Sequence, residues 1–332
     1  MRFIFSALLV LVGVASISAS LHPFFMEYRE GQRYFIAEDK QGKLQIVDRL
    51  ATDPESRFTA SSDVVFYLYT RSNPTTGYVL KNGDAASLSG SNFSKSKATK
   101  IISHGWNNDG TSDVNKNVRD AFLAVLDVNV IVVDWGKGAN GLYGTAVNNV
   151  PLVSTWEASL VDWLISQGAP VSSFHIMGHS LGGHIAGQTA RKVTRGTIPY
   201  LTAFDPAGPS WGPGTDRVRP SDAAYTEIIH SDAGYLGIKE PVGHNDFYPN
   251  EGQGMPGCLP VNVGCSHGRS YEYFASSLDN TFFQANQCSN VDEALNNKCS
   301  NIGKSYMGGS KVKAIKGIYH LKTSANKPYY LN

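Results

Sequence analysis

The chain has 332 residues, 42% of them hydrophobic, with 29 basic side chains set against 28 acidic ones. That length is enough for one large domain with a sizeable core, and the near balance of charge argues against a nucleic-acid polyanion as partner. Past the first residues no segment is apolar over the roughly 20 residues a membrane span needs, so a soluble, exported protein is expected.

In chain order, Met1-Arg2-Phe3, an apolar run to Val14 and small residues from Ala15 to Ser20 have the three zones of a secretory signal peptide, assigned to residues 1–20. Export places the protein outside the cell. Residues 21–60 mix charge with short apolar runs such as Arg33-Tyr34-Phe35-Ile36-Ala37, without a period, and read as a pro-segment or a loosely attached extension. The folded domain is expected over 61–332. Strands are predicted over 64–69, 98–103 and 129–134, the last apolar from Val130 to Val133 and so fully buried. Helices are predicted over 112–126, with Val114, Val118, Phe122 and Val125 on one face, and over 152–165, stopped by Gly168. A strand at Phe174-His175-Ile176-Met177, a helix over 185–193 and a strand over 199–204 follow. Alternation of this kind makes an α/β fold with a right-handed, mostly parallel sheet covered on both faces. Past Asp205 the sequence turns to loops rich in Gly, Pro and Asn, where function usually resides, and a last strand is predicted over 311–322.

Gly178-His179-Ser180-Leu181-Gly182 stands between the strand and helix just named and has the G-x-S-x-G spacing of a nucleophile elbow. The sharp turn forces Ser180 into an unfavourable backbone conformation, and Gly178 and Gly182 let neighbouring backbone pass close enough to permit it. The alternative, a Gly-Ser turn that merely joins two elements, is disfavoured by the strand before it and the helix after it. The layout is the one an α/β-hydrolase requires.

An alcohol is a poor nucleophile at neutral pH, so Ser180 needs a base, and the base needs a group to hold its tautomer. With this elbow the chain order is Ser, then Asp or Glu, then His. Asp205 ends the next strand and is the expected acid; Asp216, Asp222, Asp232 and Asp246 compete with it. Of His230, His244, His267 and His320, His267 is preferred because a cysteine pins what reads as its loop, with His244 the competitor. His175, His179 and His184 are expected to pack or hydrogen-bond around the elbow. The oxyanion donors are expected to be the N–H of Leu181 and that of Trp106, aimed by the freedom of Gly105. Cys258, Cys265, Cys288 and Cys299 favour two disulfides in an exported chain, with three connectivities open and neighbour pairing the simplest. Asn92-Phe93-Ser94 is a usable glycosylation sequon, whereas Asn73-Pro74-Thr75 is blocked by its proline.

Taken together, His104-Gly105-Trp106, Val133-Asp134-Trp135, the elbow from Gly178 to Gly187, Asp205-Pro206-Ala207-Gly208-Pro209, Gly243-His244-Asn245-Asp246-Phe247-Tyr248-Pro249-Asn250 and Ser266-His267-Gly268-Arg269-Ser270 resemble the animal pancreatic-lipase family over about residues 60–330. The resemblance is to its insect members and its secreted phospholipases A1. It implies Ser180 as nucleophile, Asp205 as acid, His267 as base, Trp106 and Leu181 as oxyanion donors, and disulfides Cys258–Cys265 and Cys288–Cys299.

The departures from the digestive triacylglycerol lipases are informative. The lid between Cys258 and Cys265 is a stub over 259–264, and the loop over 233–242 is also short. Both resemble the phospholipase A1 branch. The chain stops too early for a C-terminal β-sandwich domain, so no colipase contact is expected. Asp216, Arg219 and Asp222 match a calcium site of some relatives only in part, and neither a metal nor a cofactor is assigned.

The function so implied is hydrolysis of a lipid ester at a membrane, micelle or droplet surface, with release of the sn-1 fatty acid from phospholipid preferred. Triacylglycerol or galactolipid hydrolysis is the alternative. A non-catalytic yolk or lipid-binding relative is disfavoured because Ser180, Asp205 and His267 are all present.

Overall fold

The computed structural model describes residues 31–331 apart from 40, 260, 261, 280, 281 and 301. The expected signal peptide over 1–20 therefore lies outside the described residues. No described helix is long and apolar enough to cross a membrane.

The strands in chain order are β1 (Tyr34–Glu38), β2 (Leu44–Asp48), β3 (Val65–Tyr69), β4 (Tyr78–Leu80), β5 (Thr99–Ser103), β6 (Asn129–Asp134), β7 (Phe174–His179), β8 (Tyr200–Phe204), β9 (Tyr225–Ile229), β10 (Asn245–Pro249), β11 (Gln284–Cys288), β12 (Lys304–Tyr306) and β13 (Gly317–Leu321). β1 and β2 form a separate antiparallel hairpin. The rest make one 11-stranded sheet in the order β12-β11-β13-β10-β9-β8-β7-β5-β6-β3-β4. From β13 to β6 every pairing is parallel, with antiparallel strands at both edges. This is an α/β-hydrolase fold. The chain runs from β5 to β6 in one direction, then crosses to β7 and continues the other way. The crevice between the C-terminal ends of β5 and β7 is thus the switch point at which open parallel sheets bind ligands.

Side chains of a strand alternate between faces, and here both faces are apolar. Ile101, Ile131, Ile176, Leu201 and Ile228 pack under helices Tyr143–Ser166 and Leu181–Lys192. Ile102, Val130, Met177, Phe204 and Phe247 pack under helices Asp113–Val125 and Val263–Ser277.

Several expectations need correction. The strand expected over 64–69 begins at Val65 and runs antiparallel to β6, within a sheet that is mostly parallel as expected. Val125, placed on the inner face of its helix, is the last residue of that helix and is exposed, whereas Val114, Val118 and Phe122 are buried. The helix predicted over 152–165 starts earlier, at Tyr143, and carries Pro151 inside it. Proline usually marks a first turn, but burial of Tyr143, Ala146 and Val150 extends the helix through it. Among the described residues, the region past Asp205 holds five further strands and a long helix, not loops alone. The last strand is shorter than 311–322, covering Gly317–Leu321. Finally, the described part of 21–60 is not loosely attached: Phe35, Ala37 and Val47 of the hairpin are buried against the domain.

Candidate active site

The elbow is built by missing side chains. A Cβ on Gly182 would stand 2.0 Å from the carbonyl oxygen of Ser103, so only glycine lets the helix after Ser180 press on the end of β5. Ser180 itself sits at φ 58°, ψ −123°, a region disfavoured for L-residues and costing on the order of 1–3 kcal/mol. The strain is held by the surroundings: Ser180 N–H donates to Phe204 O at 3.1 Å, and Gly183 N–H donates to Ser180 O at 3.0 Å.

Asp205 follows β8, one strand beyond the elbow. It is fully buried, and three donors converge on its carboxylate. Ser231 N–H (2.8 Å) and Asp232 N–H (3.1 Å) reach Oδ1, while His267 Nδ1 donates to Oδ2 at 2.6 Å. That bond fixes the tautomer of His267, whose other ring nitrogen, Nε2, is left for chemistry. Gly237 closes the site from above, since a Cβ there would meet Asp205 Oδ1 at 2.4 Å.

His267 is in the first turns of helix Val263–Ser277, not in a loop as the sequence suggested. The Cys258–Cys265 disulfide and the Asn262 side chain, which accepts from Cys265 N–H at 2.9 Å, hold the start of that helix. The carbonyl of His267 accepts from Ser270 Oγ (2.9 Å), His179 Nε2 (3.1 Å) and Ser231 Oγ (3.3 Å). Burial, with the His267 ring beside it, holds the pKa of His179 well below the usual imidazole value, so its ring is neutral. His179 thus packs and hydrogen-bonds around the elbow, as expected, by holding the carbonyl of His267.

Ser180, His179 and His267 line one pocket together with Trp106, Tyr143, Ala207, Pro209 and Leu236, and with Phe35, Glu38 and Asp39 from the N-terminal hairpin. No hydrogen bond joins Ser180 Oγ to His267 among the described residues; such contacts often tighten only when substrate is bound. The loop after β5 comes close from the other side: a Cβ on Gly105 would stand 2.8 Å from that of Ser180. His104 holds this loop, accepting Trp135 N–H at Nε2 (3.1 Å), while its carbonyl takes Trp135 Nε1–H (2.9 Å).

The other candidates are occupied elsewhere. His244 Nδ1 accepts Thr226 N–H at 3.0 Å, away from the pocket. His230 is buried between Asp246 (3.0 Å) and the carbonyl of Ile238 (2.9 Å). His320 lies 3.5 Å from Glu251. His175 bonds Thr202 at 2.8 Å, and His184 bonds the carbonyl of Ala207 at 2.8 Å with its pKa pulled down to about 3 by burial. Asp216 and Asp222, from the partial calcium match, are both held by Arg191. Asp232 is the one competitor at the site: burial, with Asp205 close by, pushes its carboxyl above the usual range. The second disulfide joins Cys288 to Cys299, and Asn92 is exposed.

Residues 35–332 match the family described as Lipase. Pancreatic triacylglycerol lipase from Myocastor coypus is 36% identical over 261 residues, covering 70% of this chain and 57% of that protein. Phospholipase A1 member A from Rattus norvegicus is 34% identical over 290 residues, covering 80% of this chain and 63% of that protein. Inactive pancreatic lipase-related protein 1 from Homo sapiens is 34% identical over 261 residues, covering 70% of this chain and 56% of that protein. The chain thus spans about three fifths of the length of these relatives. With the match over nearly all its described residues, the chain belongs to the lipase family, that of the pancreatic lipases.

Proposed function

We propose that the protein is a secreted carboxylic ester hydrolase of lipids in which Ser180, Asp205 and His267 act as nucleophile, acid and base. The observation that carries this reading is the 2.6 Å bond from buried Asp205 to His267 in the pocket that strained Ser180 also lines. His267 Nε2 takes the proton of Ser180 Oγ as that oxygen attacks the ester carbonyl carbon. The negative charge on the carbonyl oxygen is met by the N–H groups of Leu181 and Trp106. As the tetrahedral species collapses, His267 returns the proton to the departing alcohol, leaving an acyl-Ser180. Water, deprotonated by His267, then attacks the acyl carbon, and the proton goes back to Ser180 as the fatty acid leaves.

Phospholipid cleaved at the first acyl position is the preferred substrate, with triacylglycerol or galactolipid the alternative. The aromatic wall of Trp106 and Tyr143, 5.3 Å between ring centroids, with Leu236, offers an apolar bed for an acyl chain. Only six residues separate Cys258 from Cys265, and this shortness supports the choice of a substrate with a polar head group. Purified protein offered phosphatidylcholine and triolein side by side should release the sn-1 chain of the phospholipid, and the Ser180→Ala chain should release nothing. Fatty acid from the Ser180→Ala chain at the parent rate overturns the mechanism; release from triolein alone overturns the substrate.

A further inference from the structure

The β1–β2 hairpin has two apolar faces, and among the described residues only one of them is covered. Phe35, Ala37 and Val47 turn toward the domain, where the Phe35 ring meets Tyr143 edge-on at 5.0 Å. The other face carries Tyr34, Leu44 and Ile46, which are 48%, 41% and 76% exposed, with Ile36 paired directly across from Ile46. A two-stranded ribbon is marginal on its own, and apolar side chains gathered on its open face add nothing to folding. Contiguous apolar surface rimmed by polar groups marks a docking site more often than chance exposure does. Here the rim is Arg33, Lys43, Asp48 and Glu38, the last two directly across from Tyr34 and Leu44.

Position gives the face its meaning. Phe35, Ala37, Glu38, Asp39 and Gly42 form one side of the pocket that holds Ser180 and His267. On its other flank Ile46 and Leu142 line a second groove, which shares Asp39, Trp106 and Tyr143 with the first. Leu142, 46% exposed, carries the apolar surface from the hairpin onto the domain. A lipid held in an assembly can place its ester at Ser180 only if the mouth of the pocket meets that assembly, and the hairpin forms part of the mouth.

We propose that the outer face of this hairpin, Tyr34, Leu44 and Ile46 together with Leu142, is the surface by which the protein docks on a lipid assembly. The inference rests on the reading of Ser180 as the nucleophile of a lipid hydrolase, but its test does not depend on turnover. Binding of the full Ser180→Ala chain to phosphatidylcholine vesicles is measured by flotation, with and without Leu44→Ser and Ile46→Ser. The two serines should weaken binding at least tenfold, since each removes an aliphatic group whose burial drives docking. In the active chain the same pair should lower the ratio of vesicle hydrolysis to hydrolysis of a dissolved short-chain ester at least tenfold. Ile46→Trp should show blue-shifted emission and quenching by brominated phosphatidylcholine, relative to the parent chain.

Unchanged vesicle binding and an unquenched Trp at position 46 would overturn the proposal and assign the face to another occupant, such as the residues before β1 or a second copy of the chain. An equal fall of both hydrolysis rates would also overturn it, because the hairpin would then act only through the shape of the pocket. Failure of the parent chain to hydrolyse any ester would sink the catalytic reading alone, with vesicle binding still deciding this one.

Discussion

Gly178 and Gly182 touch across the elbow so closely that a Cβ on Gly178 would lie 1.9 Å from the carbonyl oxygen of Gly182. The contact is backbone against the space of a side chain, so no rotamer change relieves it. Gly178→Ala should therefore destabilise the protein by at least ~3 kcal/mol, at the upper end of overpacking costs, and abolish activity. Thermal unfolding checks it: a melting temperature within a degree of the parent contradicts the geometry.

Asp205→Asn and His267→Ala should each lower kcat/KM for a short-chain ester on the order of 10³-fold or more, because triad members act as a unit. His244→Ala should stay near the parent rate, since its ring braces Thr226 away from the pocket. Parent-like kinetics in His267→Ala with an inactive His244→Ala would move the base.

Glu157 is fully buried behind the elbow, where it accepts Ser103 Oγ–H at 2.8 Å. Burial raises its carboxyl from 4.5 to about 7. The folded state therefore holds a proton that the unfolded state releases, so stability falls as pH rises from about 4.5 to about 7 and is level above that. Glu157→Gln should remove this slope and be more stable than the parent at pH 8 by on the order of 3 kcal/mol. Denaturant midpoints across that window measure it, and parallel curves for the two chains would refute it.

The Cys258–Cys265 disulfide closes a sequence separation of seven residues, and so short a loop has few residues with which to form a lid. Pro260 and Val261 in it lie outside the described residues. A long lid exposes apolar area that only an interface compensates, so little interfacial activation is expected here. The rate on a short-chain ester should rise smoothly through its solubility limit, and a sharp jump there would contradict this.

Local sequence determined the parts of this protein whose physics is local. Gly178, Ser180 and Gly182 announce the elbow because a turn that tight tolerates few residues. The continuous apolar run from Val130 to Val133 is an interior strand because only a position buried on both faces tolerates it. The pairing of Cys258 with Cys265 and of Cys288 with Cys299 followed from resemblance and is present in the structure.

What the tertiary structure decided are the relations between distant segments. His267 belongs to a helix because packing of Tyr273 and Phe274 on the sheet outweighs a segment rich in Gly and Ser. Its partner Asp205 lies 62 residues away, and nothing in either segment encodes their distance. Pro151 sits within a helix because burial on both sides of it exceeds the loss of one backbone bond. The β1–β2 hairpin has too few apolar residues to specify its own fold or place; docking of Phe35 against Tyr143 puts it beside Ser180. Side-chain chemistry and turn geometry are written locally, whereas burial depends on what the rest of the chain brings to a surface.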